Sequence, residues 1–187
     1  MACGTLTKGR GLDCNRISGG IKNIYFAVYD QITTELSGDQ IIDIEMGTND
    51  LYRYTMPLGV ASLTDTITGS RENGTVFFTP TVNIILNRLT KEDQNQIKLL
   101  AQTKVVIFAE LNATLASNGH NVIVCLGRLN GMELNAGTMD SGAAFGDRGG
   151  YTLTFDGLEN EPFQMVADYT ATPFDNTAFT YGNIVTS

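Results

Sequence analysis

The 187-residue chain carries 20 acidic and 12 basic side chains, so its formal net charge is −8 at pH 7. This excess of acidic side chains excludes a protein that binds nucleic acid tightly, because such affinity depends on lysine and arginine side chains that neutralise phosphates. Hydrophobic residues make up 42% of the chain, enough for a core, whereas charged residues make up only 17%. At this length one domain is the default and two small ones are possible, and the Thr, Asn, Ser and Gly content favours a β-rich protein that buries surface against partners.

The three cysteines, Cys3, Cys14 and Cys125, form an odd set without close spacing, which favours free thiols over a disulfide framework. Cys125 lies in an apolar segment and is expected to be an inert core residue. Cys3 and Cys14 could supply only half of a metal site, and the single histidine, His120, is remote in sequence, so no zinc site is expected. The start of the chain lacks the apolar region of a secretory signal, and the longest apolar run, VVIFA, is too short to span a bilayer. No membrane anchor is expected.

Residues 1–19 are glycine-rich and polar, and they are predicted to form an N-terminal arm. Three alternating segments follow and predict strands: GIKNIYFAVYD, DQIIDIEM and LYRYTMPL. In the second segment, Ile42, Ile44 and Met46 are predicted to point into the core. In the third, Pro57 restricts the strand to an edge or to a strand end, because proline has no amide proton to donate.

The segment SLTDTITGSRENGTVFFTPTVNIIL contains two long alternating arms around Asn73-Gly74, a favoured hairpin turn. Pro80, on the second arm, predicts an edge position or a bulge. An isolated hairpin is marginally stable in water, so we expect another chain to complete it; the alternative is a hairpin packed fully within its own domain. The turn residues are the candidate oligomer interface: Ser70, Arg71, Glu72, Asn73, Gly74 and Thr75.

The segment TKEDQNQIKLLAQT predicts one helix that covers a sheet face. Thr90 is its expected N-cap, with Asp93 at the third helical position as in a capping box. An apolar stripe follows at Ile97, Leu100 and Ala101.

Further strands are predicted at KVVIFAEL, NVIVCLGRL, GMELNAG and YTLTFDGLE, and the absence of βαβ alternation argues against a parallel sheet. Residues 168–187 are aromatic but weakly patterned, and they are predicted to form a C-terminal arm that gains order by lying on another surface. A β domain is therefore expected over residues 20–167. The predicted fold class is mainly β, an antiparallel β-sandwich or barrel with one packed α-helix and a long β-hairpin.

The loop before YTLTFDGLE contains Gly142, Gly146, Gly149 and Gly150. A phosphate-binding loop requires a helix after the glycines and a Lys-Ser/Thr pair at its end. Here a strand follows and no lysine is near, so the glycines are predicted to serve a turn or bulge. No cofactor is expected.

Catalytic patterns are equally weak. His120 is predicted to be exposed beside the Asn118-Gly119 turn, and Ser141 lies in DSG rather than in a nucleophile elbow. The carboxylates at 140, 147 and 156 lack the spacing of a calcium loop, so a solvated acidic rim is expected at Asp140, Asp147 and Asp156. We therefore expect no catalytic or metal site and no enzyme activity.

Two segments together resemble a group of tailed-bacteriophage virion proteins. The stretch LTKGRGLDCNRISGGIKNIYFAVYD resembles the Lys-Gly-x-Gly-Leu-Asp-Cys arm and following strand with which that group opens. The stretch GMELNAGTMDSGAAFGDRGGYTLTFDGLENEP is similar to its ending, a Gly-Asp-x-x-Gly-Tyr-Thr-Leu-Thr-Phe strand that meets an acidic turn. Between them, the order of hairpin, helix and strand is similar to phage tail-tube folds, and the likeness covers most of residues 6–166.

The resemblance implies a structural virion protein of the phage tail, a tube subunit that self-associates into stacked, typically hexameric rings. DNA would pass through the lumen as cargo that does not adhere, and other virion proteins would be partners. The hairpin at Ser70–Thr75 would reach the adjacent ring, and the two arms would clasp neighbours. A capsid decoration or auxiliary protein, or a neck or tail-terminator ring protein, is the alternative within the same class.

A non-viral β-sandwich, either a carbohydrate-binding module or an enzyme, is the third hypothesis. Tyr52, Tyr54 and Phe174 could form the aromatic platform that glycan binding requires, although the chain contains no tryptophan. Binding on a glycan array or hydrolytic turnover would favour this hypothesis.

Overall fold

The computed structural model describes residues 9–10, 18–115 and 117–186. The protein is mainly β, with 50% strand and 8% helix. The strands are β1 (Ile21–Val28), β2 (Thr33–Ser37), β3 (Gln40–Glu45), β4 (Leu51–Thr55), β5 (Ser62–Ser70), β6 (Thr75–Asn87), β7 (Val105–Thr114), β8 (Asn121–Leu126), β9 (Glu133–Asp140), β10 (Gly150–Asp156), β11 (Gln164–Val166) and β12 (Ile184–Val185), and the helix is α1 (Lys91–Leu100).

The strands form two sheets. The large sheet has eight strands in the order β12-β4-β1-β7-β8-β11-β3-β2, and the small sheet has four in the order β5-β6-β10-β9. The predicted mainly-β class, with one α-helix in the described residues, is confirmed. The antiparallel prediction is correct for the small sheet and for most pairs of the large sheet, but β11 runs parallel to β3 and β12 parallel to β4. These two strands have three and two residues, too few to show a period in the sequence.

The core lies between the two sheets. Alternate residues of β6 and β10 point inwards, among them Ile84 and Phe155, and they meet Ile24 and Phe26 from β1. Ile97 of α1 joins the same cluster. Thr90 caps the helix as predicted, because its hydroxyl oxygen accepts the Asp93 N–H at 3.1 Å and its O–H donates to the Asp93 carboxylate at 2.6 Å.

The opposite face of the large sheet is covered by residues 168–186 of the same chain. Phe174 is 1% exposed and packs edge-on against Tyr25 and Phe108. Thr180 exchanges backbone hydrogen bonds of 2.7 Å with the end of β3, and β12 pairs with β4 farther along. The C-terminal segment therefore bridges two distant parts of the large sheet, and its aromatic side chains complete a second core layer.

Two local predictions from alternation are corrected. Ile44 and Met46 are buried as predicted, but Ile42 is exposed, because a register shift in the β2–β3 pair makes it the extra residue of a β-bulge. Ile41 is buried instead. Alternation alone cannot show a bulge, since the extra residue reverses the faces on one side of it.

Pro80 lies in β6, an internal strand, and pairs with Asp65 in continuous register, so the predicted edge position or bulge is wrong. Its carbonyl accepts the Gly157 N–H at 3.2 Å, one residue after β10 ends. In a strand the nitrogen and carbonyl of one residue point the same way. The Pro80 nitrogen, which has no hydrogen, therefore points towards Gly157, just past the last β6–β10 pair, so no hydrogen bond of that ladder is lost.

Candidate assembly surface

The β5–β6 hairpin has two chemically different faces. Its register runs without interruption from Ser62 opposite Asn83 to Ser70 opposite Thr75. Opposite residues share a face, and residues two apart along a strand share it too. One face is largely apolar, and its members are Leu63, Asp65, Ile67, Gly69, Val76, Phe78, Pro80 and Val82. The other is rich in hydroxyl groups, and its members are Thr64, Thr66, Thr68, Ser70, Thr75, Phe77, Thr79 and Thr81.

Burial divides the hairpin into an inner and an outer half. In the inner half the apolar face enters the core, where Val82 is fully buried and Leu63 packs against the same cluster. From Thr66 to Phe77, every residue except the half-buried Ser70 is exposed. The hairpin is therefore not packed entirely within its own domain.

The exposed apolar row continues the core face out into solvent. Ile67 is 68% exposed and Val76 is 62% exposed, although they lie on the face that is buried farther in. Burying such a side chain contributes about 1.5–3 kcal/mol. These two exposed side chains and the half-buried Phe78 opposite Ile67 are called the hairpin apolar row below. Burial of Ile67 and Val76 by a partner would stabilise the complex by about this amount per side chain.

The candidate interface residues lie together at the hairpin tip, as the sequence predicts. Arg71 to Gly74 form the turn between the paired residues Ser70 and Thr75. The Ser70 hydroxyl oxygen accepts the Asn73 N–H at 3.3 Å, and Gly74 adopts φ of 62°. A glycine suits this position because other L-residues enter the left-handed region at a steric cost.

The hairpin is fixed to the body of the protein at its midpoint. Phe78 and Glu159 exchange two backbone hydrogen bonds of 2.8 Å, and the Asp65 carboxylate accepts the Phe163 N–H at 3.0 Å. Both contacts come from the chain after β10, which follows the hairpin by about seventy residues in sequence. The outer half therefore projects from a defined clamp rather than from a loose loop.

Glu159, part of this clamp, is a buried carboxylate. It accepts the Asn130 N–H at 2.9 Å and the Leu129 N–H at 3.1 Å. Burial raises the pKa of Glu159, and the two N–H donors and the Arg128 guanidinium offset part of that rise. Both carboxylate oxygens accept backbone N–H groups of the turn before β9, so this side chain anchors the segment that holds the hairpin at its midpoint.

Glu110 is a second enclosed carboxylate, on β7 of the large sheet. It accepts Asn23 Nδ2 at 2.6 Å and the Tyr25 hydroxyl at 3.0 Å, and it pairs with Lys22 Nζ at 3.0 Å. Burial and then the neighbouring Glu110 charge raise the pKa of Tyr25. This network joins β1 to β7, and the sequence alternation gave no sign of it, because it places a charged residue at a core position.

The outward face of the small sheet is largely polar, and the Arg148 guanidinium from the β9–β10 loop donates to its Thr152 hydroxyl at 3.2 Å. The four strands contain no lysine or arginine, and the acidic residues Glu133, Asp140 and Asp156 lie on this face, whereas Asp65 lies on the apolar face of the hairpin. Thr152 and Thr154 lie on this outward face, and the Thr154 hydroxyl donates to Asn83 Oδ1 at 2.7 Å. The outward face thus presents mainly hydroxyl, amide and carboxylate groups.

Both edges of the small sheet are open in the described structure, with β5 at one edge and β9 at the other. Nearly all of β9 is exposed, including Met139. An edge strand presents unpaired backbone N–H and C=O groups that can pair with another chain. The small sheet therefore offers two strand edges in addition to the hairpin.

The structure does not unite His120 with Ser141. His120 is half-buried rather than fully exposed, stacks on Tyr169 at 4.5 Å and contacts the Asp168 carboxylate at 2.9 Å. That hydrogen bond is the main cause of a lowered pKa at Asp168. Ser141 lies in the β9–β10 loop and donates to the Gly142 carbonyl at 3.2 Å. The histidine therefore fixes the start of the C-terminal segment and does not activate this serine.

The three aspartates of the predicted acidic rim each serve the backbone or a neighbour. The Asp140 carboxylate accepts the Gly142 N–H at 2.9 Å, and the Asp156 carboxylate accepts a hydrogen bond from Asn135 Nδ2. Asp147 accepts the N–H groups of residues 143 and 144, which lowers its pKa. Within residues 9–10, 18–115 and 117–186, no group of three His, Cys, Asp or Glu side chains could hold a metal ion.

Glycines of the β9–β10 loop occupy crowded backbone positions. A side chain at Gly150 would lie 2.0 Å from the Leu86 carbonyl oxygen, and one at Gly142, which has φ of 73°, would meet Asp147. Gly149 is likewise close to the backbone of Ser141, whereas Gly146 has open space around it. The loop leads into strand β10, in agreement with a turn function for its glycines.

The structure places Cys125 and the three residues of the predicted aromatic platform. Cys125 is fully buried in β8, and burial raises its pKa, so its thiol is a core group as predicted. Cys3 and Cys14 lie outside the described residues. Phe174 is buried in the second core layer, so it cannot share an exposed glycan platform with Tyr52 and Tyr54.

Comparison with known proteins finds no matching family model, no matching curated protein and no matching solved structure. Among the described residues, no helix has the length and apolar character needed to cross a membrane.

Proposed function

We propose that the chain is a structural virion protein, the tail-tube subunit of a tailed bacteriophage, which self-associates into stacked rings. The proposal rests above all on the hairpin apolar row. The hairpin face to which this row belongs is part of the core in the inner half and is exposed at Ile67 and Val76 in the outer half, which is the character of an interface. A second copy of the chain in the adjacent ring is the occupant that this proposal assigns to it.

The small sheet supports the same proposal through its edges and its charge. Pairing of open edges between neighbouring subunits would extend the sheet around a ring. The outward face of that sheet would then line the lumen. Its four strands carry acidic residues and no basic ones, and Arg148 of the β9–β10 loop adds one guanidinium at Thr152, so the phosphates of passing DNA would meet mostly acidic and neutral groups.

The test is assembly of the purified full-length chain at high concentration, followed by negative-stain electron microscopy and sedimentation velocity. We expect rings and tubes from the unsubstituted protein. Ile67→Thr combined with Val76→Thr should abolish stacking while the monomer remains folded by circular dichroism, because both side chains are exposed in the single chain. Leu58→Thr is the matched control, since Leu58 is also exposed but lies off the hairpin.

The outcomes separate the alternatives. Rings of fixed size that never stack would favour a neck or tail-terminator protein. Binding to capsids without rings would favour a decoration or auxiliary protein. Monodisperse monomers under all conditions would overturn the tail-tube proposal.

A further inference from the structure

Three Asn-Gly pairs occur in the chain, at Asn73-Gly74, Asn118-Gly119 and Asn130-Gly131. Asparagine followed by glycine is the pair most open to spontaneous deamidation, since glycine has no side chain to block the attack of its own backbone nitrogen. The reaction needs a mobile carboxamide and a free glycine nitrogen. The three pairs differ in whether the carboxamide and the glycine N–H are already hydrogen-bonded.

At two of the pairs both reacting groups are held. Asn118 Nδ2 donates to Asp168, its Oδ1 accepts the His120 N–H at 3.1 Å, and the Gly119 N–H donates to Leu115 at 2.9 Å. Asn130 Nδ2 donates to the carbonyl oxygen of residue 158 at 2.7 Å. The N–H of residue 131 donates to the carbonyl oxygen of residue 127 at 3.1 Å. Attack at either pair first requires several hydrogen bonds to open.

At the hairpin tip, hydrogen bonds within the described structure fix neither the Asn73 carboxamide nor the Gly74 N–H. Asn73 is exposed and uses only its backbone N–H, which donates to Ser70. Among the described residues, its carboxamide has no hydrogen-bond partner, and the Gly74 N–H has no acceptor. We infer that Asn73 is a site of spontaneous modification to aspartate and isoaspartate in the folded protein, and that the other two Asn-Gly pairs are protected by the fold.

The chemistry needs only water. The Gly74 nitrogen attacks Cγ of Asn73 and loses its proton to solvent, while Nδ2 takes up a proton and leaves as ammonia. The new C–N bond closes a succinimide ring. Water then adds to one of the two ring carbonyls and breaks the ring C–N bond, which leaves either aspartate or isoaspartate at position 73. No electron is transferred, and the tip gains one negative charge beside Glu72.

The inference does not depend on the proposed function, and one chain contains its own controls. The three pairs fall in separate tryptic peptides, covering residues 72–88, 105–128 and 129–148. The full-length protein is incubated at mildly alkaline pH, at a concentration where sedimentation shows single chains, and sampled by peptide mass spectrometry. Electron-transfer fragmentation distinguishes isoaspartate from aspartate.

We expect Asn73 to convert at least about tenfold faster than either other asparagine, since each protecting hydrogen bond must open before attack. In guanidinium, where the fold is lost, the three rates should converge. Gly74→Ala should slow conversion at position 73 and leave the other two positions unchanged. Equal rates in the folded protein would overturn the inference, and so would an order of rates that persists in guanidinium, because sequence rather than structure would then set it.

Discussion

The two sheets of this protein differ in how many of their faces are covered. The large sheet packs on the small sheet with one face and is covered on the other by residues 168–186. The small sheet is covered on one face only, and its hairpin and two edges extend beyond that cover. Both faces of the large sheet are therefore covered by its own chain, although β12 and β2 are edge strands like those of the small sheet. The small sheet is the one that leaves a whole face and the outer half of its hairpin uncovered.

The pattern of polar residues follows the same division. In β7 of the large sheet, residues 105–110 are all buried, as is typical of a strand with protein on both sides. In β10 of the small sheet, buried Tyr151, Leu153 and Phe155 alternate with half-buried Thr152 and Thr154. Alternation of this kind indicates a sheet with one apolar and one polar face.

The largest expected effect tests the cover of the large sheet. Phe174→Ala should lower the free energy of unfolding by about 3–5 kcal/mol, because it removes a buried aromatic ring and leaves a cavity. Chemical denaturation measures the change. Phe145→Ala is the matched control, since Phe145 is fully exposed, and it should change stability by less than about 0.5 kcal/mol. Equal effects would show that the C-terminal segment does not cover the large sheet in solution.

The next effect compares the two halves of the hairpin with the same substitution. Ile84→Ala, at a position 0% exposed, should cost about 2–5 kcal/mol, because it empties part of the core. Ile67→Ala should stay within about 0.5 kcal/mol in the single chain, because the side chain is in water already. Denaturant titration of dilute protein measures both. A large cost at Ile67 would mean that the outer half packs on its own chain.

The smallest expected effect concerns the turn at residues 170–175, in the C-terminal segment that covers the large sheet. Backbone N–H groups of residues 170, 171 and 172 donate to Asp175 at 2.7–2.9 Å and hold its pKa well below the usual range. A carboxyl group with a lowered pKa in the folded state stabilises the fold above its unfolded pKa, and that contribution is lost as the pH falls through the folded value.

Thermal unfolding between neutral and strongly acidic pH should therefore show a loss of stability on acidification that is smaller in Asp175→Asn. Asp39→Asn provides a comparison at an exposed aspartate of the β2–β3 turn. If Asp175→Asn and the unsubstituted protein lose stability in parallel, the carboxylate does not hold this turn in solution.

Much of the fold could be predicted from local patterns. The strand segments, the Thr90 cap, the hairpin and its tip are all short-range features, in which residues two to four apart define a face or a turn. The position of Ser70–Thr75 at the hairpin turn could be predicted for the same reason, and their role as an interface stays a prediction. The hairpin apolar row could have been found as well, since Leu63, Asp65 and Ile67 continue one face, but the sequence does not show where along that face burial stops.

The other features depend on contacts between distant parts of the chain. The sequence by itself determined which segments become strands, which of their faces are apolar, and that the chain is acidic. Only the tertiary structure decided that Phe174 is core, that Ile42 lies in a bulge, that Pro80 is internal, and that Glu159 clamps the hairpin midpoint. Those outcomes depend on which strands become neighbours and where each ladder ends, and long-range pairing of that kind leaves no periodic signal along the chain.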